Sequence, residues 1–215
     1  MTYKLIVFDW DGTLIDSAAT IVTCIQDAAR DMGIEVPEDE RARHVIGLGL
    51  HDSLRHAVPG LAVERYLEFA DHYRRHFIGR QDAMVLFPGI MALLEELKGS
   101  KLLAIATGKS RRGLDRALVC GNLAHFFAGS RCADETNPKP HPAMLLELMA
   151  QFSVNRSDVL MIGDTSHDME MAKAAGVDAL AVAYGAHPEA GLRACGPRGC
   201  FSDVASLGEW LRKNA

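Results

Sequence analysis

The sequence predicts a doubly wound α/β fold of the Rossmann-like type: a parallel sheet flanked by helices, with a helical segment inserted near its start. Three observations carry this reading. Short aliphatic runs alternate with amphipathic stretches along the chain. About ninety residues separate the first two runs, far more than one crossover helix needs. Acidic or hydroxyl residues directly follow several runs, where the strands of such a sheet present their carboxyl ends.

The runs Lys4 to Phe8, Leu102 to Ala106, Val159 to Ile162 and Ala179 to Val182 read as strands buried on both faces, since they are continuously apolar rather than alternating. After the first, residues Ser17 to Met32 carry a helical stripe of Ile21, Cys24, Ile25, Ala28, Ala29 and Met32, stopped by Gly33 and Pro37. A second helix is expected from Glu38 and another over Leu61 to Ile78. Phe87-Pro88-Gly89 then returns the chain to the α/β pattern. Met91 to Leu97, Met144 to Met149 and Met169 to Ala175 have helical spacing, with Gly176 as a left-handed cap on the last. Ser202 or Asp203 caps a final helix through Leu211. The expected division is an α/β core of residues 1–15 and 87–215 and a helical cap of residues 16–86, with hinges near Asp16 and Leu86.

The chain has 215 residues, 48% of them apolar and 24% charged, which suits one folded domain with an insertion and excludes wholesale disorder. A net charge of −5 gives no long-range field for nucleic acid or an anionic membrane, so neither is an expected partner, and an anionic ligand must be captured locally. The apolar stretch before Asp9, Leu5 to Phe8, is only four residues long, which fits neither a signal peptide nor a spanning helix; a cytoplasmic location is expected. Cys24, Cys120, Cys132, Cys195 and Cys200 form an odd set without a C-x-x-C pair, expected as free and mostly buried thiols. No feature speaks to oligomeric state.

Four segments carry chemistry. Asp9 and Asp11 stand two residues apart after the first strand, on one side of an extended backbone, with Trp10 between them. An ordinary Asp-Gly turn is the bland alternative. An EF-hand is excluded, because Gly12 comes too early and Thr20 stands where a glutamate is needed. Thr107-Gly108-Lys109-Ser110 places a hydroxyl and free amides before a helix, an anion-binding arrangement. Leu103 replaces the first glycine that a P-loop requires. Prolines 138 and 140 bracket Lys139, restricting its backbone, or they simply punctuate a helix start. Asp164 follows Gly163, with Asp168 in the first turn of the next helix. Converging at one sheet edge, these groups would suit a hard cation together with a phosphate.

Asp9-x-Asp11-Gly12-Thr13, Thr107-Gly108, Lys139 and Gly163-Asp164-x-x-x-Asp168 resemble, in order and spacing, the four motifs of the haloacid dehalogenase superfamily. The likeness covers nearly the whole chain and points to the branch with a small α-helical cap. Arg43 to Gly49, Lys139-Pro140-x-Pro142 and Gly163-Asp164-Thr165 look most like phosphoglycolate phosphatases. The resemblance implies that Asp9 is a nucleophile forming an aspartyl-phosphate and that Asp11 is the acid and base. It implies Mg²⁺ held by Asp9, Asp164 and the Asp11 backbone carbonyl. Thr107, Gly108 and Lys139 would bind the phosphoryl group, and Asp168 would orient Lys139 or a metal-bound water.

Trp10, Lys109 and the cap residue Arg43 are further substrate-side candidates, Arg43 for its planar fork toward a carboxylate or second phosphate and otherwise as a surface residue. His72 and His76 sit one turn apart without the glutamate of a zinc protease, Tyr73 standing in its place, and are expected on a solvated helix face. The expected activity is Mg²⁺-dependent hydrolysis of a small phosphate monoester, with phosphoglycolate favoured. A sugar-phosphate mutase and a non-catalytic phosphate sensor are the alternatives.

Overall fold

The computed structural model describes residues 3–80 and 85–215; four residues of the expected cap, 81–84, lie outside the described residues. Six strands form one parallel sheet: β1 (Leu5–Phe8), β2 (Leu102–Thr107), β3 (Gly129–Cys132), β4 (Val159–Gly163), β5 (Asp178–Val182) and β6 (Gly199–Phe201), in the spatial order β3-β2-β1-β4-β5-β6. Chain order reverses between β1 and β4, which opens a crevice at the carboxyl edge beside them. Register fixes its floor: Phe8 lies opposite Ile105 on one side and Ile162 on the other, so the three strands end nearly level.

Alternate residues of the central strands enter two separate cores. Ile6, Phe8, Leu103, Ile105, Leu160 and Ile162 pack toward α5 (Ile90–Lys98) and α10 (Val204–Asn214). Leu5, Val7, Ala104, Ala106, Val159 and Met161 pack toward α7 (Ala143–Phe152) and α8 (Ser166–Ala175). Helices on both faces explain why these strands read as unbroken apolar runs. α6 (Arg111–Cys120) and α9 (Glu189–Ala194) complete the surrounding layer.

Between β1 and β2 the chain builds α1 (Ala18–Asp31), α2 (Asp39–His44), α3 (Leu50–Ala57) and α4 (Tyr66–Ile78) around a third core that includes Ile21, Ile25, Ala42, Leu54 and Phe69. The outgoing and returning segments run side by side. Asp16 N–H donates to the Val85 carbonyl at 2.9 Å and Phe87 N–H to that of Leu14 at 3.1 Å.

Several details differ from the sequence reading. β3 and β6 were not anticipated, because as edge strands they are half-buried and carry no aliphatic run (GSRC and GCF). α3 and α9 were too short and polar to stand out. A 3₁₀ turn at Val63–Arg65 takes the start of the helix expected from Leu61. The expectation of mostly buried thiols is corrected: all five are free, but only Cys24 and Cys132 are buried, Cys120 being exposed and Cys195 and Cys200 half-buried. Among the described residues no helix is long and apolar enough to cross a membrane.

Gly176 does adopt the left-handed cap, at φ 71°. Asp203 rather than Ser202 caps α10, accepting from Ser206 N–H at 2.8 Å. Asp203→Ala is expected to cost about 1 kcal/mol, the usual worth of such a cap. Urea denaturation checks this, and an unchanged midpoint would count against it.

Candidate active site

The level ends of β1, β2 and β4 deliver Asp9, Thr107 and Asp164 to one spot, and the loop before α7 adds Lys139. All four are at most 1% exposed. Lys139 Nζ lies 2.7 Å from Asp9 Oδ1 and 2.7 Å from Asp168 Oδ1. Asp168 Oδ2 accepts from the Thr165 amide at 3.0 Å and its hydroxyl at 2.7 Å, a capping box that starts α8 and fixes Asp168 against Lys139. Asp164 accepts from the Thr13 hydroxyl at Oδ1 and from the Ala186 amide at Oδ2, each at 2.7 Å. The Asp-Gly turn has a steric reason as well: Gly12 sits at φ 78°, and a β-carbon there would overlap the Asp164 carboxylate.

Carboxylate oxygens of Asp9, Asp164 and Asp168 lie within 4.8 Å of one another, opposed by the single ammonium of Lys139. Burial pushes Asp9 well above the ordinary carboxylate range. Lys139 pulls it back, while Asp168 and Asp164 push it further up. Burial and the charge of Asp168 raise Asp164 to about 7. For Lys139 burial acts downward, but Asp168 and Asp9 outweigh it and hold the ammonium charged. Asp9 Oδ1 accepts from Trp10 N–H at 2.6 Å and pairs with Lys139, whereas the buried Asp9 Oδ2 has neither a hydrogen-bond partner nor an ion pair among the described residues; Lys139 Nζ and Asp168 Oδ1 lack regular hydrogen bonds but are ion-paired with each other. An all-oxygen donor set with excess negative charge fits a hard divalent cation such as Mg²⁺.

Asp11 lies at the edge of this cluster, 8% exposed. Its oxygens accept from Lys109 Nζ at 3.0 and 2.9 Å, and Oδ1 also accepts from the Ser17 hydroxyl at 2.8 Å. Lys109 Nζ in turn lies 4.5 Å from the centre of the Phe77 ring on α4, so the helical insert reaches this edge. A second element of the insert covers the loop that follows β2. A β-carbon on Gly108 would overlap the Gly47 backbone, which makes the glycine after Thr107 a requirement of that close approach.

A family model described as haloacid dehalogenase-like hydrolase matches residues 6–182. The chain is a haloacid dehalogenase-like hydrolase. This hydrolase is 33% identical to "Probable phosphatase IndB" of Dickeya dadantii, over 97% of its own length and 95% of that protein. It is 34% identical to "Tyrosine-protein kinase PtkA" of Mycobacterium tuberculosis over 85% of its length, but spans only 62% of PtkA. It is 28% identical to "Phosphoglycolate phosphatase" of Colwellia psychrerythraea, covering 95% of each. A solved haloacid dehalogenase-like family hydrolase from Streptococcus pneumoniae superposes with a TM-score of 0.83 at 26% identity, covering 97% of this chain and 98% of that one.

In this haloacid dehalogenase-like hydrolase the structure brings together Asp9, Asp11, Thr107, Gly108, Lys139, Asp164 and Asp168. Lys109, a substrate-side candidate, lies against Asp11. Trp10 is buried, with its ring edge-on to Phe127 at 6.5 Å. Arg43 is half-buried at the end of α2, and no ion pair or side-chain hydrogen bond joins it to the cluster. The solvated face expected for His72 and His76 is corrected. Both half-buried rings bond Asp31 Oδ2, at 2.9 and 2.8 Å, tying α4 to α1.

Sequence reasoning missed Ser17, Ala186 and Phe77, which carry no motif signal. It also missed the meeting of His44, His167 and His187. There the His44 carbonyl accepts from His167 Nε2 at 2.7 Å and His187 Nε2 at 3.2 Å. Burial lowers both donors, His187 to about 4, so they act as neutral rings that fasten α2 to the core.

Asp168→Ala removes one of two carboxylates from a fully buried ammonium that keeps Asp9, and is expected to cost about 1.5–3 kcal/mol in stability. Urea denaturation against wild type measures it. A loss under 1 kcal/mol would mean that Lys139 does not need this partner.

Proposed function

We propose that this protein is a Mg²⁺-dependent phosphatase of small phosphate monoesters, with residues 16–86 as a cap over the core and Asp9 as nucleophile. The observation that carries the reading is Asp9 Oδ2: a buried carboxylate oxygen without a partner, beside a fixed ammonium and at the end of the central strand. The names of IndB and of the Colwellia relative support phosphate-ester hydrolysis, and the latter supports phosphoglycolate as a substrate.

Asp9, Asp164 and the Asp11 backbone carbonyl would hold the Mg²⁺. When bound, it supplies positive charge that keeps Asp9 ionised and offsets repulsion between Asp9 and the phosphate dianion. Asp9 Oδ2 donates an electron pair to phosphorus as the bond to the leaving alcohol oxygen breaks. Thr107 Oγ1–H and Gly108 N–H donate to phosphoryl oxygens, and Lys139 balances their charge. Asp11 gives a proton to the departing oxygen, then takes one from the water that attacks the aspartyl-phosphate, releasing phosphate and restoring Asp9. An acid facing the leaving oxygen cannot also hold both oxygens against an ammonium, so Lys109 turns away from Asp11 when substrate enters. Asp168 positions Lys139 and touches no substrate.

Phosphate release from 2-phosphoglycolate and a panel of other monoesters tests the reading. Asp9→Asn, or chelation of Mg²⁺, is expected to lower kcat by at least about 10³-fold while circular dichroism stays unchanged. Full activity in either case contradicts the mechanism. Substrate consumed without phosphate release would instead mean transfer to another acceptor, the outcome expected of a mutase or kinase.

A further inference from the structure

The phosphatase reading leaves the alcohol half of the ester undefined, and a cavity beside Asp11 bears on it. This space of about 310 Å³ begins at Asp11 and Lys109 and runs between α6, the hinge segments and the end of α4. Its walls are mainly apolar, with Trp10, Ile15, Phe77, Leu86, Ala117 and Leu123 among them. Asp11 and Lys109 are its only charged lining groups among the described residues, and they are already paired with each other at 2.9 Å.

Position gives the cavity its meaning. Asp11 is the group that must meet the leaving oxygen, so whatever is bonded to that oxygen lies on the side where Asp11 borders open space. A two-carbon acid such as glycolate would leave most of 310 Å³ empty, while small-molecule sites begin at about 300 Å³. Its carboxylate would also find no second cation beside Lys109 among the described lining residues, and would sit against mainly apolar walls.

Resting on the phosphatase reading, we propose that the cavity receives the leaving group, and that this is an alcohol or phenol carrying an apolar, ring-sized body. The ring lies between Trp10 and Phe77, and the ester oxygen points to Asp11. Phe77 and Ala117 are then specificity determinants: Phe77 supplies a face from the helical insert, and Ala117 leaves room on α6.

The test compares kcat/KM for phenyl phosphate and 2-phosphoglycolate in the full chain with Mg²⁺. Wild type is expected to favour phenyl phosphate by about tenfold or more. Ala117→Leu, which fills the cavity, and Phe77→Ala, which removes a wall, are each expected to reduce that ratio by about tenfold, with folding verified by thermal melts. A preference for 2-phosphoglycolate, or a ratio that neither variant moves, overturns the assignment. Calorimetry with the non-hydrolysable benzylphosphonate and 3-phosphonopropionate separates this from the parent reading. If neither ester is hydrolysed, the phosphatase reading fails. Tighter binding of benzylphosphonate, lost in Ala117→Leu, still supports the cavity's role, and equal or reversed affinities reject it.

Discussion

Three carboxylates and one ammonium, all nearly fully buried, stand where three parallel strands end together, and this unbalanced cluster governs the site. Charges so far from water persist only when paired and hydrogen-bonded. Lys139 makes ion pairs with Asp168 and one oxygen of Asp9, Thr165 holds the far side of Asp168, and Thr13 with Ala186 holds Asp164. What is left over is one oxygen of Asp9 and a surplus of negative charge. A divalent cation bound here would offset that charge.

The fold serves that cluster through register. Because Phe8 is level with Ile105 and Ile162, the residues that follow each strand emerge side by side, although they are separated by about 100 and 155 positions in the chain. The sheet is buried on both faces and gives these loops a rigid base, which a site with sub-ångström demands requires. The glycines that accompany the acids are part of this geometry, since a side chain at Gly12 would occupy the space of Asp164.

Much of this was legible in the residues themselves. Strands β1, β2, β4 and β5 stood out because burial on two faces leaves continuous aliphatic runs, and the acids at their ends kept fixed spacing. β3 and β6 did not, because an edge strand can be half-polar. The partners of the charged groups were equally hidden. Ser17 on Asp11, the Ala186 amide on Asp164 and Phe77 under Lys109 are contacts made by tertiary folding, and serine, alanine and phenylalanine carry no chemical signature in sequence. Lys109 shows the same limit from the other side: its place after Thr107-Gly108 marked it as a substrate-side candidate, but not its ion pair with Asp11 or its seat on the ring of Phe77. The helical insert therefore shapes the site at two points, at Gly47 over the Thr107-Gly108 loop and at Phe77 beside Lys109.

Whether the unpartnered oxygen of Asp9 is the atom that accepts phosphorus can be read from a crystal structure of the protein grown with Mg²⁺ and beryllium fluoride, since that fluoride mimics a phosphoryl group on a carboxylate. Beryllium is expected bonded to Asp9 Oδ2, with its fluorines reached by Thr107, Gly108 and Lys139. An adduct on Asp11, or none on Asp9 with the cation bound, would contradict it.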